Sequence, residues 1–423
     1  MSLLAYLLEH NRYMNLLGIF VILFIAFLFS KRRSAINYKL VVSALILQCA
    51  IGFAILRTTL GQRVVDYVAH GVNRLYQFAE VGSGFVFGKL AQADGPWGFV
   101  FGIKVLPIII FFGALMALLF HLGIVQLVVR GISFVVRPIL GTSGAETLCA
   151  ISNSFLGQTE APLLVRPYLK NMTKSEMLVV MVSGMATISG AILAVFAAMG
   201  VPAEHLLTAS VMSIPASLLI AKILLPETEK PLTAGDAPVA FERSTSNVID
   251  AVSAGTSDGM YLALNVGAML ISFLSLLALI NFFLGWGTEY INGFLHFLGL
   301  AVQLPVLTLN LIFAYVFAPF GYLLGLTGME ALQAGALLGT KVAVNELIAY
   351  GEMVAMNLSP RAEALLTYAL CGFSNFSCIG IQVGGIGALV PEKRSWLCEL
   401  GLYAVLGGAL SNLLNAMIAG LLL

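Results

Sequence analysis

Three consecutive side chains could do chemistry in the middle of an otherwise apolar stretch: the Gln158 amide, the Thr159 hydroxyl and the Glu160 carboxylate. Gly157 before them permits a tight turn, and Pro162 after them lacks the amide proton that a continuing helix would use. The run reads as a polar tip where two short helical arms meet. Asn345-Glu346 is a second polar pair in a comparably apolar setting. A carboxylate in hydrocarbon is costly unless it is paired or wetted, so both glutamates are functional candidates. Lys341 either joins the second tip or pairs structurally with a carboxylate, whereas Lys104 and Asp258 read as structural or interfacial. Acid-base catalysis by the two glutamates is the rival reading. No HExxH motif supports it, and the five histidines lie away from the tips.

The composition says where these groups sit. The chain is 59% hydrophobic and 10% charged, with several runs close to the length that crosses a bilayer. It is expected to be an all-α polytopic membrane protein. A net charge of +1 argues against nucleic acid as a partner. The five cysteines show neither metal-ligand nor paired-disulfide spacing and read as small hydrophobes. The first apolar run has no small-residue cleavage site and reads as a retained helix.

Eight spans are expected, at residues 13–30, 40–56, 99–122, 176–199, 206–225, 260–284, 362–389 and 400–422. Lys31-Arg32-Arg33 after the first places both termini outside. Residues 62–79 and 124–139 are amphipathic and suit the interface plane, and 292–326 suits the outer surface. Around the first tip, within 142–170, each arm has about 12 residues, or roughly 18 Å of helix, too short to cross; a re-entrant hairpin fits. Residues 328–356 make the second hairpin. The spans that follow the hairpins are broken at Thr187-Ile188-Ser189-Gly190 and at residues 373–377.

The two hairpins belong to a repeat. Leu140-Gly141-x-x-Gly144-x-Glu146-x-Leu148 recurs as Leu324-Gly325-x-x-Gly328-x-Glu330-x-Leu332, each copy leading into a hairpin and then a broken helix. Three crossings separate the broken helices, so the copies enter the membrane from opposite sides. Inverted repeats with discontinuous helices and midplane polar groups mark secondary transporters. A dicarboxylate carrier would want arginines where this chain offers carboxylates.

Gly157-Gln158-Thr159-Glu160-Ala161-Pro162, Asn345-Glu346 and Ala369-Leu370-Cys371-Gly372-Phe373 resemble the concentrative nucleoside transporter family, bacterial branch. Similarity runs over nearly the whole chain, including the signature that reads here from Gly339 through Lys341 and Asn345-Glu346 to Tyr350. The resemblance implies a bacterial inner-membrane symporter for nucleosides such as uridine, coupled to sodium or, alternatively, to protons, with no other cofactor. It implies a homotrimer in the bilayer, working as an elevator. A scaffold (1–139 and 248–323) would hold a transport domain (140–225 and 324–423), with a cytoplasmic linker at 226–247. By resemblance, Gln158, Thr159 and Glu160 bind the nucleobase, with Ile192, Leu262 and Phe373 beside it. Glu346 and Asn375 hold the ribose, and Cys378 stands where the family carries a serine. Sodium would sit at Asn153, Thr187 and the backbone of Leu156 and Ile188. The chemistry suits a nucleoside independently: it is neutral, has several donors and acceptors, and needs buried amide and carboxylate partners.

Overall fold

A computed structural model describes residues 3–91, 100–234, 245–300 and 302–423. Phe99, residues 235–244 of the expected linker and Ala301 lie outside the described residues. Among those described there is no strand. Seven helices are long and apolar enough to cross a membrane: Leu4–Leu28, Tyr38–Arg57, Phe101–His121, Lys174–Ala198, Ala203–Leu224, Val248–Phe297 and Pro391–Leu422. The remaining expected span, 362–389, is broken as its sequence predicts, into two helices of 11 and 14 residues, Pro360–Leu370 and Phe376–Leu389.

Burial separates an inner bundle from an outer layer. In the most apolar 18 residues of each, Lys174–Ala198 is 94% buried and Ala203–Leu224 89%, whereas Val248–Phe297 is 6% and Phe101–His121 22%. The outer helices expose Leu, Ile and Phe broadly, as helices do whose solvent is hydrocarbon. The interfacial segment expected at 62–79 belongs to a longer amphipathic helix, Thr59–Phe87, started by the Thr58 hydroxyl accepting from the Gly61 N–H at 3.0 Å. The span expected at 99–122 is broken before Pro107, between Phe101–Lys104 and Leu106–His121. Ile124–Leu140 is the second amphipathic helix.

The span expected at 260–284 is much longer. Val248–Phe297 is one helix of 50 residues, about 75 Å at the usual rise, against about 30 Å of hydrocarbon. No proline interrupts its flanks, and Asn247 caps its start by accepting from the Asp250 N–H at 2.9 Å. It packs on Phe101–His121 along a seam of small residues. A Cβ added at Gly255 would lie 2.5 Å from Ala117 Cβ and 2.6 Å from Gly113 O, so only glycine allows this approach.

The repeat units are hairpin followed by broken helix. The first hairpin descends as Gly144–Asn153, every residue buried. It does not return as a regular arm: Ala161–Val165 is one tight 3-10 turn and Arg166–Leu169 a single helical turn. Pro162 and Pro167 each remove a helical donor, which explains the departure from two equal arms. The second hairpin is regular, Gly328–Ala343 and Glu346–Ala355. Leu309–Leu323, expected on the outer surface, packs along Gly328–Ala343 and meets it at 115°.

The repeated leucine-glycine motifs are turns and caps. Gly141 (φ +66°) and Gly325 (φ +80°) take the left-handed conformation that glycine permits. Ser143 with Glu146, and Thr173 with Glu176, form reciprocal capping boxes. In each unit a glutamate also ties hairpin to broken helix. Glu176 accepts from the Ser143 hydroxyl at 2.5 Å, and Glu330 accepts from the Ser359 N–H at 2.9 Å.

Candidate functional site

The first tip closes on Gly157, whose N–H donates to the Glu160 carboxylate at 2.9 Å and whose carbonyl accepts from the Glu160 and Ala161 N–H groups. Gln158 turns inward and is buried, Thr159 is half-buried and Glu160 is exposed. The tip presses on the second broken helix rather than its own. Gln158 Nε2 donates to Cys378 Sγ at 3.3 Å, and Gln158 Oε1 accepts from Gln382 Nε2 at 3.0 Å. Thr159 packs over Gly385, where a Cβ would come 2.7 Å from Thr159 Cγ2.

The second tip reaches the same place. Asn345 caps Glu346–Ala355 by accepting from the Ile348 N–H at 2.9 Å, which sets Glu346 in the first turn. Glu346 is buried, and its Oε2 accepts from Asn375 Nδ2 at 2.9 Å. Asn375 in turn caps Phe376–Leu389, accepting from the Cys378 N–H at 3.0 Å and the Ser377 hydroxyl at 2.7 Å. Gln158, Cys378, Asn375 and Glu346 therefore form one continuous polar path that joins the hairpins through the gap of the second broken helix. Phe373 is half-buried in that gap, and Ile192 is buried at the start of Gly190–Ala198. Leu262 lies on the long outer helix, where it is 37% exposed.

Cys378 meets Gln158 through its thiol and Asn375 through its backbone N–H, so the residue joins the base end of the expected site to the ribose end. Serine would place a stronger acceptor there. Cys378→Ser is expected to keep nucleoside uptake and to lower KM by about threefold. A tenfold loss instead would make the position one of packing.

A second polar focus lies between the first hairpin and the first broken helix. Asn153 Nδ2 donates to Ser183 Oγ at 2.9 Å, while Asn153 Oδ1 is buried without a hydrogen-bond partner among the described residues. Thr187 Oγ1 donates to Ser183 O at 2.8 Å, and the Phe155 carbonyl accepts from the Gly190 N–H at 3.0 Å. No backbone donor meets the Leu156 and Ile188 carbonyls among the described residues. A buried oxygen without a donor is costly unless a positive charge meets it. The donors are amide, hydroxyl and carbonyl oxygens, the set that suits a hard cation.

Two residues that no motif announces hold this arrangement. Asn412 of Arg394–Leu422 donates to Ala186 O at 2.7 Å and Cys371 O at 2.6 Å, the carbonyls at both breaks. Its Oδ1 accepts from Lys341 Nζ at 2.7 Å, and Lys341 also donates to Ala369 O at 2.9 Å. Lys341 thus serves helix ends, where the dipole favours a cation; it makes no carboxylate ion pair among the described residues. Gln382 is the other. Both were detectable as amides in apolar helices, an expensive placement.

Comparison with known proteins places the chain among transporters. The Na+ dependent nucleoside transporter models match residues 17–90 (N-terminus) and 205–420 (C-terminus), and the nucleoside recognition Gate model matches 102–203. An uncharacterized transporter of Haemophilus influenzae is 44% identical over 415 residues, covering 96% of this chain and 97% of that one. Nucleoside permease NupC of Helicobacter pylori is 40% identical over 418 residues, again 96% and 97%. Among solved structures, CNTnw in an inward-facing substrate-bound state superposes with a TM-score of 0.87 at 40% identity, covering 97% of both chains. An outward-facing double variant of CNTnw gives 0.88 at 38% identity, with the same coverage. Fold and site together define an integral membrane transporter rather than an enzyme. The chain belongs to the Na+-dependent nucleoside transporter family.

Proposed function

We propose that this protein is a symporter that carries nucleosides inward across a bacterial inner membrane, driven by sodium. The observation that carries the reading is the polar path from Gln158 to Glu346, which joins two hairpin tips at one helix break. Gln158, Thr159 and Glu160 take the nucleobase, with Ile192 and Phe373 against it; Leu262 would approach from the outer layer. Glu346 and Asn375 take the ribose hydroxyls, with Cys378 between. Asn153, Thr187 and the Leu156 and Ile188 carbonyls take the sodium ion, and the partnerless Asn153 oxygen supports that assignment.

Transport is by an elevator in a homotrimer with periplasmic termini. Residues 140–225 and 324–423 move as the transport domain within a scaffold of 1–139 and 248–323, with 226–247 as the cytoplasmic linker. The contrast between buried inner helices and the exposed Val248–Phe297 supports this division. CNTnw is described in outward-facing, intermediate and inward-facing states, which supports alternating access here.

The test is radiolabelled uridine uptake into proteoliposomes under a sodium, potassium or proton gradient. Sodium-driven accumulation upholds the reading. Accumulation driven only by protons keeps the substrate and removes the ion assignment, and no uptake by folded protein overturns both. Asn153→Ala is expected to raise the sodium concentration for half-maximal uptake about tenfold, the effect of losing one oxygen ligand worth about 1.4 kcal/mol. An unchanged sodium titration would remove Asn153 from the ion site.

A further inference from the structure

We infer that Gln382 is a positioning residue that fixes the Gln158 amide with its NH2 group toward the nucleobase, making the site select bases that present an acceptor there. The inference rests on the proposed reading that Gln158 meets the base.

The argument begins at a group whose polarity is not adjustable. Met181 O is a main-chain carbonyl and can only accept, and Gln382 Nε2 lies 2.9 Å from it. Gln382 is fully buried, and although its Oε1 has no partner among the described residues, reversing its amide would set that oxygen against Met181 O and take the NH2 group from both of its acceptors. The second hydrogen of the same NH2 group points at Gln158 at 3.0 Å, so the atom that receives it is Oε1. Gln158 Nε2 is thereby turned away, toward Cys378 Sγ at 3.3 Å. An NH2 group has two hydrogens; one serves the thiol, and the other has no partner among the described residues.

The backbone holds the pair in place. A Cβ at Gly184 would come 2.8 Å from Gln158 Cβ and 2.9 Å from Gln382 Nε2, so both side chains lie against the first broken helix itself. A glutamine free to turn its terminal amide would offer donor or acceptor alike; one tied to Gln382 offers a donor. Thr159 can donate or accept, and ionised Glu160 only accepts, so neither supplies this fixed donor. The favoured bases carry a carbonyl on the edge that Gln158 meets, as uracil and hypoxanthine do, in preference to the amino group of cytosine and adenine.

The experiment compares kcat/KM for uridine against cytidine, and for inosine against adenosine, in sodium-driven proteoliposomes. Wild type is expected to favour the carbonyl member of each pair by about tenfold. Gln382→Met, of similar size but without the amide, is expected to bring both ratios close to one while leaving the sodium dependence unchanged. Gln382→Glu, held in its acid form with the hydroxyl donating to Met181 O, offers Gln158 an acceptor, reverses its amide, and is expected to invert the ratios; it also serves if Gln382→Met does not fold. A merely structural role would lower all four rates together. Ratios that change in Gln158→Ala but in neither Gln382 variant overturn the positioning role. Ratios unchanged in Gln158→Ala overturn the base-site reading itself, and a wild type without the carbonyl preference overturns the inferred polarity.

Discussion

Glu346→Gln is expected to leave the protein folded and inserted but to cut nucleoside uptake by about 100-fold. The reason lies in what Asn375 is free to do. Its Oδ1 is committed to the Cys378 N–H at 3.0 Å and the Ser377 hydroxyl at 2.7 Å, so its NH2 group must face position 346. A glutamine there would give its oxygen to Asn375 and turn its own NH2 group toward the ligand. A ribose hydroxyl that donates to a carboxylate would then meet a donor. A charge-assisted contact is worth about 1.5–3 kcal/mol, and the upper end corresponds to the stated loss. Uptake, with membrane abundance measured in parallel, decides it. Uptake within threefold of wild type would remove Glu346 from the ribose site.

Asn412→Leu is expected to do more damage, and to the fold rather than to affinity alone. The substitution leaves the Ala186 and Cys371 carbonyls without their donor and Lys341 without one of its two acceptors. Orphaned buried groups cost about 1–3 kcal/mol each, and a buried charge stripped of a partner about 3–5 kcal/mol. Together these approach the stability of a whole domain, so yield of monodisperse protein and thermal midpoint should both fall sharply. Lys341→Met in the same chain is expected to restore part of the loss, because removing both partners costs less than removing one. A thermal midpoint that does not move in Asn412→Leu would mean that the two breaks are held by something else.

Most of the architecture was legible in the sequence because its devices are local. Hydropathy located the spans. Thr187-Ile188-Ser189-Gly190 and Asn375 located the breaks, since hydroxyl and amide side chains there cap the second half-helices, Ser189 for Ile192 and Asn375 for Cys378. The tips were legible because Gln158, Glu160 and Glu346 are polar where burial is costly. What was not legible was long-range or steric. Hydropathy found 260–284 and could not see that the flanks to Val248 and Phe297 continue the same helix. The return arm of the first hairpin looked helical in length, yet Pro162 and Pro167 reduce it to two single turns. Asn412 and Gln382 make bonds to residues about two hundred positions away, such as Ala186 and Met181, which no spacing rule relates.

The glycine seam between Phe101–His121 and Val248–Phe297 has a genetic consequence. Side chains at Gly255 and Gly259 would strike backbone atoms of the partner helix, at 2.6 Å from Gly113 O and 2.8 Å from Ile110 Cα. Backbone cannot give way as a flexible side chain can. A screen of random mutants scored only for growth on an imported nutrient would therefore recover loss-of-function alleles there as readily as at the tips. Such alleles would resemble lesions of recognition while abolishing assembly, and measuring protein abundance would sort the two classes.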